Sequence, residues 1–390
     1  MLAFAATSLL TPTETVKDPL LLIEQGKVAD VIARTAVALP TGVSPTTFAD
    51  AVIAPAYIDL HIHGGGGFDV MDESPEALLV IERLLARHGV SAYLPTTVTA
   101  ALDKTLQALE RLADSIEDHR TKGNGGPRAV PLGIHLEGPF ISHARRGVHP
   151  PADLLPPKLE TFERLWQAAR GHIRMMTIAP ELEGSPAVIA EAVRRGVCVS
   201  LGHSDADSAA TARGIVAGAR HATHTFNAMR PLDHHNPGIL GAALADERLS
   251  ADIIADGVHV DPAIVRLFAR AKGDLQTVLI TDATAATGMP DGRYHLGSLT
   301  VDVKGGVCTA DGRLAGSVLT MDQAVRNLAR FAGWNLSQSV AAATRNPARV
   351  ARLAGKGILA SGSDADFVVL SPEGEVLRTF IAGQEVQRNS

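Results

Sequence analysis

The sequence predicts an α/β fold in which a (β/α)8 TIM barrel carries a small β-sandwich domain formed by the N- and C-terminal segments. Three observations support this prediction: short apolar strands alternate with helical segments from Ala54 onward, the alternation occurs eight times, and both chain ends look strand-like without helices. Such alternation indicates a parallel sheet, and eight units close a barrel. We place the barrel at residues 54–354 and the small domain at residues 1–53 with 355–390.

The first part of the chain consists of short predicted strands separated by turns. Residues 20–24 and 27–33 flank a Gln25-Gly26 turn. Strand-like residues around a glycine-containing turn are typical of a β-hairpin. Residues 1–10 are apolar, but they lack the basic start of a signal peptide and lead into a strand-like segment, so we expect no signal peptide.

Eight apolar segments of strand length follow one another through the barrel region. We predict them at residues 56–63, 90–99, 129–138, 172–179, 197–203, 221–227, 250–256 and 276–282. Between them, stretches such as EALLVIERLLARHG and EAVRRG repeat apolar residues with the period of an amphipathic helix. These stretches predict the helical layer that surrounds the barrel.

The last quarter of the chain changes character twice. Residues 291–316 are rich in glycine and lie where they could cover the barrel mouth, and helices are predicted from residue 317 to about residue 353. Residues 362–386 alternate apolar and polar side chains around a Pro-Glu-Gly turn, like the N-terminal strands. We therefore expect both ends to pair in one β-domain.

Composition limits the classes of partner. A formal net charge of −6 offers no broad basic surface for nucleic acid or an anionic membrane. No apolar run reaches the roughly 18 to 20 residues of a membrane span. Cys198 and Cys308 are too few for a disulfide framework and too far apart for a cysteine metal site. We expect a cytoplasmic protein with reduced thiols that binds neither nucleic acid nor membrane.

Side chains that commonly bind metals end five of the eight predicted strands. They are His61 and His63 on the first strand, Glu137 on the third, His203 on the fifth, His224 on the sixth and Asp282 on the eighth. Barrel active sites lie at these strand ends, and alternation puts His61 and His63 on one face. Imidazole and carboxylate suit a divalent ion such as Zn²⁺, which activates water. The pattern predicts a metal-dependent hydrolase.

Each of these residues also has a structural interpretation. A His-X-His pair can be a surface pair, Glu137 could form a salt bridge in a loop, and His203 and His224 could be packed core histidines. His135 is equally compatible with orienting Glu137 and with simple packing. Asp282 is the hardest to explain structurally, because a carboxylate that ends a buried strand needs a partner or a role. We assign it the role of general base.

Taken together, the motifs resemble the amidohydrolase superfamily and, within it, the N-acetylglucosamine-6-phosphate deacetylases. The resemblance covers nearly the whole chain. It runs through APAYIDLHIHG, HLEGPF followed by ARRGVH, GHSDA, HTFNAM, ADGVH, LITDATAATGMPDGRY and RLAGS, in the order of the family. The combination of HLEGPF, FNAM and TDA with ATGMPDG is highly specific.

The resemblance implies a role for each matching residue. Glu137, His203 and His224 match the family's metal ligands, Asp282 its catalytic aspartate, and His61 with His63 those members that hold a second ion. His149 would polarise the acetyl carbonyl while Asp282 serves as base and then acid. The predicted sugar contacts are Val148, His149, Asn227, Ala228, Arg230, His235, Asp256, Gly257, Val258, His259, Leu314, Ala315 and Gly316. One or two Zn²⁺ ions per subunit and a homodimer are also implied.

One departure from the family concerns the substrate's phosphate. Relatives carry an arginine two residues before a Pro-Gly pair, often reaching across a subunit interface, whereas this chain has His235 there and Arg230 nearby. A histidine is mostly neutral near pH 7 and lacks the forked, charged grip of arginine. The leading function is hydrolysis of N-acetyl-D-glucosamine 6-phosphate. The alternatives are another N-acetylated, even unphosphorylated, amino sugar or N-acyl compound on the same barrel, and a non-catalytic binding protein.

Overall fold

Eight parallel strands form the barrel in the computed structural model, which describes residues 1–34, 44–122 and 126–387. In chain order they are β1 (Tyr57–Ile62), β2 (Val90–Thr97), β3 (Ile134–Glu137), β4 (Ile173–Ile178), β5 (Cys198–Leu201), β6 (His221–Ala222), β7 (Ser250–Ile253) and β8 (Thr277–Leu279). A short strand, Val130–Pro131, lies beside β2. Each strand pairs in parallel with the next. The predicted barrel is confirmed.

The ring closes between the first and the last strand. Ile62 forms a parallel bridge with Ala283, and the backbone N–H of Asp282 donates to the carbonyl of His61 at 2.9 Å. Several strands end earlier than predicted because the residues after them leave the extended conformation. His203, His224 and Asp282 have φ values of 45°, 30° and 51°. A left-handed residue cannot continue the ladder, and here it turns a polar side chain towards the mouth.

Helices surround the barrel as the apolar periodicity predicts. They are Ala77–Arg87, Leu102–Lys122, Leu159–Ala168, Ser185–Arg194, Ser208–Ala217, Gly238–Ala245, Pro262–Gln276, Met321–Ala332, Leu336–Ala343 and Arg345–Val350, with 3₁₀ turns at His143–Arg145 and Pro151–Asp153. Asn335 caps the N-terminus of the helix Leu336–Ala343, since Asn335 and Gln338 exchange side-chain and backbone hydrogen bonds. Within the described residues, no helix has the length and apolarity that crossing a bilayer requires.

Both ends of the chain share one mixed sheet, to which the described residues contribute eight strands. Its strands are Leu2–Leu10, Thr15–Lys17, Pro19–Glu24, Lys27–Ala33, Thr46–Pro55, Phe367–Leu370, Val376–Ile381 and Gln384–Glu385. Thr46–Pro55 joins the two ends, because it pairs with Leu2–Leu10 on one side and with Phe367–Leu370 on the other. The rings of Phe4, Phe367 and Phe380 lie 4.4 to 5.1 Å apart in its core. The predicted sharing of a sheet by the two ends is confirmed.

A second small sheet lies after β8, where glycine content alone did not indicate strands. Gly292–Leu296, Leu299–Lys304, Val307–Ala310 and Arg313–Leu314 form an antiparallel meander, which we call the mouth sheet. Its turns contain Gly297, Gly305, Gly306 and Gly312, all with positive φ. The glycines therefore mark hairpin turns between short strands.

Candidate active site

The residues predicted to bind metal lie together, buried, at the C-terminal end of the barrel. His203 Nε2 and His224 Nε2 are each 3.1 Å from Glu137 Oε1 and 3.0 Å from one another. On the other side, His63 Nε2 is 3.2 Å from Glu137 Oε2, from Asp282 Oδ1 and from His61 Nε2. Glu137 therefore lies between two groups of potential metal-ligand donors. One group is His203 with His224, and the other is His61 with His63 and Asp282.

Three of these histidines hydrogen-bond through Nδ1 to the protein backbone, and that bond decides whether Nε2, the nitrogen that faces the site, has a free lone pair. His63 Nδ1, His203 Nδ1 and His224 Nδ1 face the backbone carbonyls of Thr96, Arg145 and Asn227 at 2.9, 3.0 and 3.2 Å. A carbonyl can only accept, so in the neutral ring each Nδ1 carries the proton and each Nε2 presents a lone pair. This is the tautomer that ligates metals, and its orientation by a backbone carbonyl is typical of metal-binding histidines.

These lone pairs make the donor set fit a cation. Burial lowers the pKa of His224, but the carboxylate of Glu137 outweighs burial and raises that pKa to about 9, so positive charge is favoured where Nε2 of His203 and Nε2 of His224 lie 3.0 Å apart and face Glu137. Imidazole nitrogens with carboxylate oxygens are the ligands that Zn²⁺ and similar divalent ions prefer. The site therefore fits a divalent metal.

His149 has the opposite arrangement. Its Nδ1 accepts from the backbone N–H of Thr99 at 3.2 Å and lies 2.8 Å from the Thr99 hydroxyl. A backbone N–H can only donate, so the neutral ring carries its proton on Nε2, which lies 3.5 Å from Glu137 Oε2. Although a Nε2 atom at this distance could belong to a metal cluster with Glu137 and His203, this tautomer has no lone pair there. His149 is a hydrogen-bond donor.

Both carboxylates of the site are anions at neutral pH. Burial raises the pKa of Asp282, but His61 and His63 outweigh burial when they carry an added proton, and they lower that pKa to about 2. Burial likewise opposes ionisation of Glu137, yet His61 and the histidines that hydrogen-bond to it when protonated hold its pKa well below the usual range. A cation bound in place of those protons favours the ionised carboxylates in the same way. An ionised carboxylate can bind a cation and can accept a proton.

His135 has a structural role, which resolves the alternative that the sequence left open. Its Nδ1 donates to the Leu60 carbonyl of strand β1, 2.9 Å away, and its Nε2 is 2.8 Å from the hydroxyl of Thr177. Burial and the neighbouring charge of His61 lower the pKa of His135 well below its ordinary value. Because a carbonyl accepts, Nδ1 is the protonated nitrogen of this neutral ring.

A buried carboxylate that was not among the predicted site residues holds His224 in place. Asp252 accepts the backbone N–H of His224 through Oδ1, and its Oδ2 lies 2.9 Å from His221 Nε2. Asp252 and His221 are fully buried. The sequence contains a signal, since an aspartate within the predicted strand at residues 250–256 needs a partner if the strand is buried. The structure shows that the partners are His221 and the strained backbone of a predicted ligand.

A cavity of about 170 Å³ opens beside these groups and collects most of the predicted sugar contacts. It is lined by Val148, His149, Asn227, Ala228, His259, Leu314, Ala315 and Gly316, and also by Val98, Gly147 and Leu296, which were not predicted. Asp256 lies behind His259, since its Oδ2 is 2.7 Å from His259 Nδ1. Gly257 and Val258 are exposed and do not line the cavity as the described residues form it.

Arg230 and His235 also lie outside the cavity of their own chain. Arg230 Nη2 is 3.3 Å from Asp205 Oδ2, and Asp205 binds Arg145 Nε at 2.8 Å through its other oxygen. His235 is exposed, and its ring lies against that of His234 with the centroids 4.0 Å apart and the ring planes tilted by 39°. Neither side chain is among the residues that line the cavity of the same chain.

Comparisons with known proteins agree with this geometry. The amidohydrolase family profile matches residues 52–386. The N-acetylgalactosamine-6-phosphate deacetylase of Escherichia coli O157:H7 is 39% identical, covering 93% of this chain and 97% of that protein. The N-acetylglucosamine-6-phosphate deacetylase of Bacillus subtilis is 35% identical, covering 96% and 94%. A solved mutant of N-acetyl-D-glucosamine-6-phosphate deacetylase from Mycobacterium smegmatis, in complex with N-acetyl-D-glucosamine 6-phosphate, matches with a TM-score of 0.92 at 36% identity and covers 99% of both chains.

Proposed function

The chain belongs to the amidohydrolase family, and we propose that it hydrolyses N-acetyl-D-glucosamine 6-phosphate to D-glucosamine 6-phosphate and acetate. The observation that carries this proposal is the combination of two donor groups around Glu137 with a separate hydrogen-bond donor, His149, at the edge of the same cavity. The family's deacetylases, which are similar over almost the whole chain, support the choice of reaction.

We propose that Glu137, His203 and His224 hold the tighter of two Zn²⁺ ions and that His61 and His63 hold the weaker one. The support for this assignment is the tautomer of the rings, since His63, His203 and His224 present lone pairs to the site. When bound, such an ion lowers the pKa of a water molecule and polarises an acyl oxygen. His61 Nδ1 has no hydrogen-bond partner among the described residues, which suits its weaker hold on the second ion.

The chain's own groups perform the proton transfers in this proposal. His149 donates its Nε2 hydrogen to the acetyl oxygen and so stabilises the negative charge that develops there. The Asp282 carboxylate accepts a proton from the attacking water, whose oxygen bonds to the acetyl carbon. Asp282 then passes that proton to the amine nitrogen as the carbon–nitrogen bond breaks. The products are acetate and the amino sugar phosphate, so all atoms of water and substrate are accounted for.

The sugar epimer is open to a second candidate, N-acetyl-D-galactosamine 6-phosphate. The relative that supports it is 39% identical to this chain, against 35% for a glucosamine enzyme. The test is an acetate-release assay on the N-acetylated gluco and galacto sugars, each with and without the 6-phosphate. We expect the phosphorylated gluco sugar to give the highest kcat/KM. A higher value for the galacto sugar would establish the second candidate, and no acetate from any of the four would refute the deacetylase function.

We propose that the phosphate is gripped across a homodimer by residues 230–237 of a partner subunit. The support is that His235 is exposed and does not line the cavity of its own chain, together with the family's arginine at this position. We further propose that the enzyme acts in the cytoplasm, where its charged, phosphorylated substrate would be retained. The unpaired Cys198 and Cys308 suit a reducing compartment. The barrel and small domain are proposed to span residues 54–354 and 1–53 with 355–390.

Replacing Arg230 with alanine is expected to weaken binding of the phosphorylated substrate by roughly 1.5 to 3 kcal/mol, the range for a hydrogen bond to a charged group. The unphosphorylated sugar should change little. His235→Arg should improve use of the phosphorylated sugar, and the gain should shrink as salt screens the charges. The measurement is kcat/KM for both sugars at low and high salt, with Arg293→Ala as an exposed control on the mouth sheet.

Mixing two variant subunits distinguishes phosphate binding by the partner subunit from phosphate binding by the same chain. Arg230→Ala and Asp282→Asn subunits are each impaired, but a hybrid dimer has one cavity with both an intact Asp282 and the partner subunit's Arg230. We expect mixing to restore phosphate-dependent activity above the sum of the two variants. If mixed dimers form without that gain, and phosphate still lowers KM, the grip comes from the same chain. If phosphate never affects KM, the chain has no phosphate site.

A further inference from the structure

We propose that Val98 and Leu296, which we call the acyl wall, restrict this enzyme to short N-acyl groups. Both side chains line the cavity, and neither was expected from the sequence. They are 3% and 2% exposed, so they form a packed surface rather than a loose rim. This inference rests on the proposed deacetylase function and specifies which part of the substrate the wall contacts.

The two residues belong to one hydrophobic cluster although they come from distant parts of the chain. Val98 follows β2, and Leu296 ends the first strand of the mouth sheet, in one hydrophobic cluster with Val301 and Ala315. Gly297 is packed so tightly on Val98 that a β-carbon at Gly297 would lie 2.4 Å from Val98 Cγ1. The hairpin turn of the mouth sheet therefore rests directly on Val98.

Hydrogen bonds hold this turn in position. The backbone N–H of Gly297 donates to Asp69 Oδ2 at 2.8 Å, and His295 Nε2 lies 2.9 Å from Asp72 Oδ1. Asp69 is buried, and it also accepts the N–H of Met71 at 2.7 Å. Because the turn is tied to the barrel on both sides of Leu296, the wall is a fixed boundary of the cavity.

Barrel topology places this wall across the mouth from the polar part of the cavity. The strands pair in sequential order around the ring, so β2 and β6 lie on opposite sides. Val98 follows β2, whereas the polar residues Asn227 and His259 follow β6 and β7. The cavity therefore has an apolar side and a polar side, and the donors around Glu137 lie between them.

The three substituents of the reacting carbon match these surroundings. Its oxygen is directed to His149, which Thr99, the neighbour of Val98, holds in place. Its nitrogen bears the polar sugar, which is matched by the side with Asn227 and His259. The remaining substituent, the acyl carbon chain, is left to the apolar side and contacts the acyl wall. One methyl group fits there, and each further methylene would have to displace buried, tethered side chains.

Enlarging the wall should change acyl selectivity. We expect the wild type to prefer N-acetyl over N-propionyl glucosamine 6-phosphate by about tenfold or more in kcat/KM, the lower range for one methylene in a pocket. In Leu296→Ala the ratio of propionyl to acetyl kcat/KM should rise about tenfold. The matched control is Val301→Ala, since Val301 is 0% exposed in the same cluster but is not among the cavity-lining residues. That control should lose comparable packing without a change in the ratio.

The opposite substitution tests the wall if Leu296→Ala does not fold. Leu296→Phe should lower kcat/KM for the N-acetyl substrate about tenfold relative to the N-formyl substrate, which has no methyl group to collide with the larger ring. Equal ratios in wild type, Leu296→Ala, Leu296→Phe and Val301→Ala, with acetate still released, would overturn the acyl wall and leave the deacetylase function standing. A wild type that releases no acid from any N-acyl sugar phosphate would instead refute the function on which the wall rests.

Discussion

Replacing Asp282 with asparagine is expected to lower kcat by on the order of 10² or more, while metal content and fold stay as in the wild type. Asparagine keeps the shape of the side chain but cannot accept the proton of the attacking water. The measurements are kcat for acetate release, metal per chain by elemental analysis, and the thermal melting temperature. The carboxylate is already ionised at neutral pH because His61 and His63 lower its pKa to about 2.

A matched control for this variant exists on the mouth sheet. Asp311 is exposed in a hairpin turn and has a φ of 49°, close to the 51° of Asp282. Asparagine tolerates this backbone region as readily as aspartate does, so Asp311→Asn should turn over like the wild type. If Asp282→Asn also keeps wild-type turnover at unchanged metal occupancy, Asp282 is not the general base.

Replacing Glu137 with alanine is expected to remove the tighter metal ion and with it the activity. Among the residues that the structure describes, Glu137 is the one carboxylate with contacts to both histidine groups, at 3.1 Å from His203 and His224 and 3.2 Å from His63. No neighbouring side chain can replace it as a ligand. We expect the loss of activity to exceed the roughly 10-fold to 100-fold that changes around, rather than within, a ligand set cause.

Metal content gives the decisive measurement for Glu137. Elemental analysis should find about two ions per chain in the wild type and at least one fewer in Glu137→Ala, and added Zn²⁺ should fail to restore full activity. The exposed Glu183→Ala serves as the control and should keep both ions. Full metal content together with full activity in Glu137→Ala would contradict the assignment of the ligands.

The barrel and the location of the donors were predictable because the information is local. Apolar periodicity identifies strands and helices within short windows, and a polar residue directly after a strand must lie at one end of the barrel. His61, His63, Glu137, His203 and Asp282 could therefore be proposed before any distance was known. The ends of the strands were less predictable, because the left-handed φ values of residues such as His203 depend on contacts with other strands.

The mouth sheet shows where local patterns were insufficient. Its glycines signal turns, but whether the residues between turns pair as strands depends on the surface beneath them. Here that surface is Val98, Met71 and the neighbouring cluster. The contribution of Leu296 to the cavity follows from this packing, since Leu296 lies 198 positions beyond Val98 in the numbering of the chain.

Residue order alone was enough to predict the fold class, the chemical type of the donors, the position of each donor on its strand, and a departure from the family at His235. It could not predict which histidines present a lone pair in the neutral ring and which presents a hydrogen, because that depends on contacts formed in the folded chain. His149 and His203 have the same side chain, yet one faces the backbone N–H of Thr99 and the other faces the carbonyl of Arg145. The physical reason is that residue type specifies what a group can donate or accept, whereas the partner that selects between these options is brought to it by the fold.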